Sequence, residues 1–278
     1  MIHQSISPAG GASQSALGVL TALLEARTGQ QISAYRSWRV DTALKPLLRD
    51  RNLVSFDELA MLLLDGKDTR LADQVIDALV NQETSFFRDA PVFDMIASAV
   101  AAVEATGRRA RIWCAGCSTG QEPYSLAMLL ADRDGTDHLT PEIVATDVSD
   151  AAIARARQGR YTQFEIQRGL SVRRMISWFE TADEEWVARP ELRRMVNFRK
   201  HNLLGDPAVP GRYDVILCRN VLLYLAAEAK SGIFSTFAGA LEPGGLLALG
   251  AGETVIGQTP AFEPSKSYRG LYAKIDAR

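Results

Sequence analysis

Short apolar runs that alternate with helical patterns restrict the fold of this chain more than any other feature. Strands are predicted at Arg111–Ala115, Ile143–Asp147, Met195–His201, Tyr213–Cys218 and Leu246–Gly250. Helical patterns fall between most of them, at Gln121–Ala131, Ala151–Gln158 and Ala227–Leu241. Strands that alternate with helices form βαβ units, so we expect a mostly parallel α/β sheet that is covered on both faces. A last run, Arg269–Ile275, has no helix after it and predicts an added edge strand.

The chain before residue 80 has helical patterns and nothing that looks like a strand. Helices are predicted over about Ser13–Arg27, Ser33–Asp50, Ser55–Leu64 and Thr69–Val80. Pro46 is expected to kink the second helix or to start a new one. We therefore predict an all-α domain at residues 1–89 and an α/β domain at 90–278, which a helix from about Ala90 to Thr106 begins.

One stretch interrupts the alternation of strands and helices. Residues 161–194 stand where a single helix would suffice, and they contain runs that resemble a short hairpin, Ile176–Glu180 and Glu185–Ala188. We interpret this stretch as a small inserted β subdomain beside the main sheet.

Composition excludes several classes of protein. The 278 residues are 47% hydrophobic and 23% charged with a net charge of −2, which gives no overall field that would attract nucleic acid or an anionic membrane. No run reaches the roughly 20 apolar residues of a membrane span, and the N-terminus lacks a secretory pattern, so a cytoplasmic location is expected. Cys114 and Cys117 have no second cysteine pair and no histidine at ligand spacing, so no metal site is expected.

The strongest local signal is the segment from Arg111 to about Leu130. A strand leads into Ala-Gly116-Cys-Ser-Thr-Gly120, and a helix follows with Pro123 in its first turn. Loops of small residues at the carboxyl ends of parallel strands bind ligands in open α/β sheets. The spacing is not that of a dinucleotide or ATP loop. A tight turn without a ligand is the alternative.

Three further groups of polar residues follow or precede predicted strands. Asp147 ends the second strand, where a carboxylate can accept hydrogen bonds from ribose hydroxyls, or alternatively cap the next helix. Arg219 and Asn220 end the fourth strand and should point into the ligand crevice. Ahead of the sheet, Thr84 and Ser85 could start a helix before a core Phe pair, while Arg88 beside aromatic residues calls for an anionic partner.

Together these segments resemble the chemotaxis receptor methyltransferases, the CheR family, over nearly the whole chain. The matching motifs are Glu83-Thr-Ser-Phe-Phe-Arg-Asp89, Gly116-Cys-Ser-Thr-Gly-Gln-Glu-Pro-Tyr-Ser125, Ala145-Thr-Asp147, Asn202-Leu203 and Cys218-Arg-Asn-Val-Leu-Leu-Tyr224. The resemblance implies a Rossmann-like class I methyltransferase sheet that binds S-adenosylmethionine and releases S-adenosylhomocysteine. It also implies methylation of glutamate side chains on chemoreceptors.

The resemblance further implies roles for individual residues. The residues expected around S-adenosylmethionine are Gln82, Thr84, Arg88, Gly116, Glu122, Asp147, Asn202, Leu203, Cys218, Arg219 and Asn220. Asp147 would hold the ribose, and Asn202 and Leu203 would bracket the adenine. Arg88 and Tyr224 would lie at the reacting end and orient the substrate carboxylate. The family usually has Asn at the position of Gln82.

A local excess of basic residues predicts where the receptor docks. Six basic residues between positions 27 and 51 stand against two acidic ones, and the resemblance favours docking of acidic methylation helices on Arg36, Arg39, Arg49 and Arg51. A solvated helix face is the alternative. In the family that the chain resembles, members that bind a receptor tail tend to have a longer loop with glycine at this place. The short acidic turn between Glu180 and Glu185 has no glycine, so the resemblance favours docking without a tail. The enzyme is expected to be monomeric.

Two other functions are compatible with this kind of sheet. A nucleic-acid methyltransferase would be expected to carry an Asn/Asp-Pro-Pro-aromatic motif after the fourth strand, and the segment after Arg219 is not that motif. A regulatory module would bind S-adenosylmethionine or S-adenosylhomocysteine without transferring the methyl group.

Overall fold

The computed structural model describes residues 11–32, 38–133, 139–206 and 209–275. The chain divides into two compact units, Met1–Asn81 and Gln82–Arg278. This division falls eight residues before the predicted domain boundary, because Gln82–Asp89 packs with the α/β part of the chain. Within the described residues, no helix is long and apolar enough to cross a membrane.

The first unit contains four described helices. They are α1 (Gln14–Thr28), α2 (Trp38–Asp50), α3 (Phe56–Asp65) and α4 (Thr69–Leu79). Leucines and valines at helical spacing form its core, with Leu24, Leu44 and Val75 at most 1% exposed. Pro46 does not start a new helix, since α2 runs through this proline as one helix; a kink at Pro46 stays a prediction. The part of the second predicted helix at 33–37 lies outside the described residues.

The second unit is built on a seven-stranded sheet. Its strands are β1 (Arg111–Ala115), β2 (Glu142–Asp147), β6 (Val196–Lys200), β7 (Tyr213–Cys218), β8 (Leu241–Leu249), β9 (Phe262–Pro264) and β10 (Leu271–Lys274). The strand order is β6-β2-β1-β7-β8-β10-β9, and the first five strands in this order are parallel. This order confirms the predicted Rossmann-like α/β sheet.

Helices cover both faces of this sheet. They include α5 (Pro91–Glu104), α6 (Gln121–Ala131), α7 (Asp150–Gln158) and α11 (Ala227–Ala240). Successive residues of a strand point to opposite faces. Accordingly Ile112 and Cys114 belong to one buried cluster with Tyr124, whereas Trp113 belongs to a second cluster with Phe237. Both faces of the sheet are buried, which explains why the sequences of the strands are unbroken apolar runs.

The last predicted strand is present, but its predicted place at the edge of the sheet is wrong. β10 pairs with β8 on one side and with β9 on the other, so β9 is the outer strand. β9 has three residues and ends at Pro264. Proline lacks the amide hydrogen of a sheet ladder, which suits this outer position.

The predicted inserted β subdomain is confirmed as a three-stranded sheet with the order β3-β5-β4. Its strands are β3 (Arg160–Tyr161), β4 (Phe179–Ala182) and β5 (Glu185–Ala188), and its helices are α8 (Gln163–Gln167), α9 (Val172–Trp178) and α10 (Pro190–Arg194). The predicted hairpin began three residues too early, because Ile176–Trp178 ends α9. The Ser171 hydroxyl caps α9 by accepting a hydrogen bond from the Arg174 amide.

Phe86 joins the segment before α5 to this subdomain. Its ring is fully buried and makes edge-to-face contacts with Tyr161 and Phe179, at centroid distances of 5.0 and 5.6 Å. Gly169 packs against its backbone, since an added Cβ at Gly169 would lie 2.0 Å from the Phe86 carbonyl oxygen. These contacts explain why the segment belongs to the second unit.

We predict that Phe86→Ala lowers the free energy of unfolding of the second unit by about 3–5 kcal/mol, because the truncation leaves a cavity in a core that cannot fully close. Urea denaturation followed by circular dichroism measures this loss. Phe164→Ala is the control, since Phe164 is 74% exposed and its truncation should change stability by no more than about 0.5 kcal/mol. Equal losses in the two variants would contradict the packing role of Phe86.

Candidate functional site

The loops after β1 and β7 meet where the strand order of the sheet reverses. β1 leads to β2 on one side, while β7 pairs on the other side of β1. Open α/β sheets bind their ligands at such a switch point, outside the carboxyl ends of the strands. Several residues predicted for the site follow strands at this edge, and Gln82 and Arg88 reach it through hydrogen bonds.

Gly116 begins the loop after β1. Its φ of 79° is in the left-handed region that favours glycine, and its amide donates to the Thr146 carbonyl at 2.8 Å. An added Cβ would lie 2.4 Å from Cγ2 of Val221, in the loop after β7. Glycine is therefore required here both by the turn and by the close packing of the two loops.

Arg219 is the most tightly held residue of the site. Its side chain is 2% exposed, and its guanidinium lies 2.9 Å from Oε2 of Glu122 and 2.6 Å from Oδ2 of Asp89. The same Nη2 atom donates to the Arg88 carbonyl oxygen at 2.9 Å. One buried cation thus connects the end of β7, the first turn of α6 and the segment before α5. Its Nε atom is buried and has no hydrogen-bond partner among the described residues.

Glu122 lies in the first turn of α6 and is 14% exposed. Burial raises the pKa of its carboxyl group, and the nearby Arg219 offsets part of that effect. The negative charge of Glu253 adds to the increase in the pKa. The ionisation of Glu122 therefore depends on the cationic groups around it.

Asp147 ends β2, and both of its carboxylate oxygens accept backbone hydrogen bonds. The amide of Ser118 donates to Oδ2 at 2.8 Å, and the amide of Ser149 donates to Oδ1 at 3.0 Å. The N-cap of α7 is Ser149, whose hydroxyl accepts from the Ala152 amide, so the alternative capping role of Asp147 is excluded.

Gln82 is bound to the loops that follow β1 and β2. Its carbonyl oxygen accepts from the Ser118 hydroxyl at 2.9 Å, and its side-chain amide donates to the Ser149 hydroxyl at 3.3 Å. Thr84 is half-buried two residues later. The alternative in which Thr84 and Ser85 start a helix is wrong, because the next helix begins only at Pro91.

Arg88 and Tyr224 lie on two different segments that adjoin Arg219. Arg88 comes directly before Asp89, which binds Arg219, and Tyr224 follows Arg219 by five residues. Arg88 is half-buried, and its guanidinium donates to the Glu83 carbonyl oxygen at 3.4 Å. Among the described residues, no carboxylate lies within ion-pairing distance of this guanidinium. Tyr224 is half-buried and ends the short 3-10 helix Leu222–Tyr224.

Asn202 and Leu203 follow β6, the strand next to β2. The side-chain oxygen of Asn202 accepts a hydrogen bond from the Leu204 backbone amide at 3.1 Å. The backbone amide of Asn202 donates to the Asp206 carboxylate at 2.7 Å. Leu203 is half-buried against the second apolar cluster. The His201 amide donates to the Asp147 carbonyl oxygen, so this loop adjoins the end of β2.

Cys218 is the last residue of β7 and is fully buried in the second cluster. Burial raises the pKa of its thiol well above the ordinary value, as it does for Cys114 and Cys117. The thiol of Cys218 therefore lies inside the apolar core. Within the described ranges, no group of side chains could hold a metal ion.

Three residues of the candidate site were not predicted as site residues from the sequence, namely Asp89, Ser118 and Glu253. Ser118 has a φ of 49° and presents its amide to Asp147. Glu253 accepts from the amides of Asn220 and Gly250. A signal for Glu253 was available, since an acidic residue in the turn Gly250-Ala-Gly-Glu253 follows the fifth predicted strand on the binding edge.

Comparison with known proteins identifies the relatives of this chain. Residues 82–271 match the family described as "CheR methyltransferase, SAM binding domain". The chain is 36% identical over 257 residues to the chemotaxis protein methyltransferase of Vibrio parahaemolyticus. The matched region covers 91% of this chain and 94% of that protein. It is 35% identical over 240 residues to chemotaxis protein methyltransferase 1 of Pseudomonas aeruginosa, with coverage of 84% and 87%.

S-adenosylmethionine is the cofactor of this site, and the described residues fit it. The cofactor carries a sulfonium, an ammonium, a carboxylate and a ribose. Carboxylates at Asp89 and Glu122 would provide negative charge for the cationic groups, and the buried Nε of Arg219 has no partner within the described residues. Asp147 is an acidic residue at the end of β2, where a carboxylate can accept hydrogen bonds from ribose hydroxyls.

We predict that the affinity for S-adenosylmethionine decreases as the pH falls through the raised pKa of Glu122. A cationic ligand favours the ionised carboxyl group, so protonation of Glu122 weakens binding, and affinity is constant above that pKa. Glu122→Gln should lose this pH dependence and weaken binding at neutral pH by about tenfold, equivalent to one charge-assisted hydrogen bond of ~1.5 kcal/mol.

Calorimetric titration between about pH 5 and pH 8 measures the effect. Glu263→Gln is the matched control, because Glu263 is an exposed glutamate on β9. An unchanged pH dependence in Glu122→Gln would contradict the assignment of the titration to Glu122.

Proposed function

Since this chain belongs to the CheR methyltransferase family, we propose that it methylates glutamate side chains of chemoreceptors. The products would be glutamate methyl esters and S-adenosylhomocysteine, and the process would serve sensory adaptation in the cytoplasm. When bound, S-adenosylmethionine supplies an electrophilic methyl group on a positively charged sulfur. A carboxylate oxygen forms the new bond to the methyl carbon, the carbon–sulfur bond breaks, and its electron pair stays on sulfur.

The arrangement of Arg88 supports a carboxylate substrate best. The Nη atoms of Arg219 bind two carboxylates and a carbonyl oxygen, whereas the hydrogen bond that the Arg88 guanidinium makes within the described residues is to the Glu83 carbonyl oxygen at 3.4 Å. A half-buried guanidinium of this kind can bind the two oxygens of an incoming carboxylate.

A glutamate nucleophile also demands little acid–base chemistry from the site. A glutamate carboxyl group is ionised at neutral pH and needs no general base. The protein then contributes mainly proximity and orientation, which Arg88 and the Tyr224 hydroxyl would provide by fixing the direction of the carboxylate. The remaining predicted cofactor contacts would hold the other reactant in line.

We predict that the purified protein transfers labelled methyl groups to receptor fragments in a base-labile form, as expected for carboxyl methyl esters. Arg88→Ala should lower turnover at saturating cofactor by about a hundredfold, because a misplaced nucleophile loses the advantage of orientation. The matched control is Arg194→Ala, which removes an arginine that is 77% exposed on α10.

Different results identify the alternative functions. Binding of the cofactor without transfer to any receptor fragment would favour a regulatory module. Base-stable label on a nucleic acid would indicate a methyltransferase for that polymer. Full turnover by Arg88→Ala would contradict the proposed role of Arg88.

The receptor would dock on the exposed face of α2 in the first unit. Lys45 and Arg49 are exposed on this helix, and Arg39 is half-buried. Of the other residues predicted for docking, Arg51 binds Asp68 at 2.8 Å and also donates to Gln74, so its charge is partly neutralised. Arg36 lies outside the described residues. Among the described residues, we therefore propose Arg39 and Arg49 of the predicted set, together with their neighbour Lys45, as the docking surface.

We predict that reversing the charges of Lys45 and Arg49 to Glu raises the KM for the receptor by about tenfold at low salt, with little change in kcat. Rim charges act mainly on association, and salt screens them over about 10 Å at 0.1 M, so the difference should shrink as salt increases. Reversal of the exposed Lys67 and Arg70 changes the net charge equally and serves as the control. An equal effect of both double variants would mean that net charge, not α2, determines docking.

A further inference from the structure

Glu253 connects the loops that follow β7 and β8. Its Oε2 atom accepts hydrogen bonds from the amides of Asn220 at 2.8 Å and Gly250 at 2.7 Å, and its Oε1 atom accepts from the amide of Leu223 at 3.2 Å. Hydrogen bonds to an ionised acceptor are stronger than neutral ones. A single carboxylate thus binds three backbone amides of two adjacent loops.

The segment that Glu253 holds is conformationally strained. Asn220 has a φ of 60°, in a region that residues other than glycine adopt at a cost. Gly250 packs directly on it, because an added Cβ at Gly250 would lie 2.7 Å from Nδ2 of Asn220. Such a backbone persists only where neighbouring contacts over-determine it. Glu253 supplies two of these contacts, to the amides of Asn220 and Leu223, and it also binds the amide of the adjoining Gly250.

The same segment is fixed on its other side by the loop after β1. Val221 fills the space that a side chain at Gly116 would need. The turn is therefore held between Gly116 and Glu253, and it continues directly into the 3-10 helix that ends at Tyr224. A shift of the turn would move Tyr224 at its far end and the Arg219 cluster at its start.

The negative charge of Glu253 lies near that of a second carboxylate. Its carboxylate is near enough to Glu122 to oppose the ionisation of that group. Two carboxylates close together are unfavourable unless cations or hydrogen-bond donors compensate them. An amide or hydroxyl acceptor would bind some of the same amides without this repulsion.

We propose that Glu253 is a positioning residue for methyl transfer, which sets the turn Asn220–Tyr224 against the loop of Gly116. This inference rests on the proposed function, because it requires Tyr224 to orient the acceptor carboxylate. Glu253 acts through the backbone of the turn and contacts neither reactant in this role.

The test compares Glu253→Ala and Glu253→Gln in the full-length protein, with Glu263→Gln as the control. We expect Glu253→Ala to lower kcat by about a hundredfold, the size of effect that a displacement of about 1 Å produces. The KM for the receptor should change little. Glu253→Gln should give an intermediate kcat, since its one amide oxygen can replace only part of the acceptor set.

Hydrogen exchange separates positioning from general destabilisation. Both variants should lose protection at residues 220–224 and at Gly250, while protection in β1 and β7 stays at the wild-type level. Unchanged kcat in a folded Glu253→Ala protein would overturn the inference. Loss of protection across the whole second unit in Glu253→Gln would overturn it as well, because Glu253 would then be a general stabilising residue.

The proposed function can fail separately from this inference. If the wild-type protein methylates no receptor fragment, the receptor proposal is wrong. The inference is then decided by the exchange at residues 220–224 and by turnover on glutamate-containing peptides. Loss of protection confined to the turn, with lower turnover, supports the positioning role, and a wild-type exchange pattern overturns it.

Discussion

The buried guanidinium of Arg219 is the interaction on which the rest of the site depends. It binds Glu122 of α6, Asp89 before α5 and the carbonyl oxygen of Arg88, and only 2% of its side chain is exposed. Loss of one partner in a buried ion pair costs about 3–5 kcal/mol, because the other charge is left uncompensated. The cluster is therefore a single unit, and no member can be exchanged without affecting the others.

This cluster also explains why the site contains more carboxylates than cations. Asp89 and Glu122 bind Arg219, and Glu253 lies near enough to Glu122 to oppose its ionisation, so further positive charge beyond Arg219 and Arg88 favours this arrangement. Under the proposed function, S-adenosylmethionine would supply that charge with its sulfonium and ammonium groups. Transfer of the methyl group would neutralise the sulfonium, so these carboxylates would favour the reactant over the product.

The sequence allowed the main sheet to be predicted well, because buried parallel strands give unbroken apolar runs. β1 and β7 were predicted with their observed bounds, and β2 was placed within one residue. β9 was missed because three residues that end in proline carry no periodic signal. The beginning of β4 was misplaced because Ile176–Trp178 continues α9, whose start depends on a serine cap.

In the candidate site, some residues could be predicted from the sequence, whereas the contacts between distant segments could not. Gly116, Asp147 and Arg219 lie at or just after the ends of strands on the binding edge, so their position in the chain was sufficient to select them, whereas Glu122 was selected by the family resemblance. The partners of Arg219 could not be chosen in advance, because Asp89 lies 130 residues away and meets it only through the packing of Phe86.

Backbone strain shows how these separate segments are made to fit. Phe87, Asp89, Ser118 and Asn220 all have positive φ values, and all lie on the three segments that converge on Arg219. Such conformations cost about 1–3 kcal/mol each and cluster where function requires a fixed geometry. Each segment also has a polar anchor: Arg219 binds the first, Asp147 the second and Glu253 the third. The charged residues of this site therefore hold its backbone in addition to serving its ligands, which makes the identity of Glu253 as important to the geometry as that of the predicted contacts.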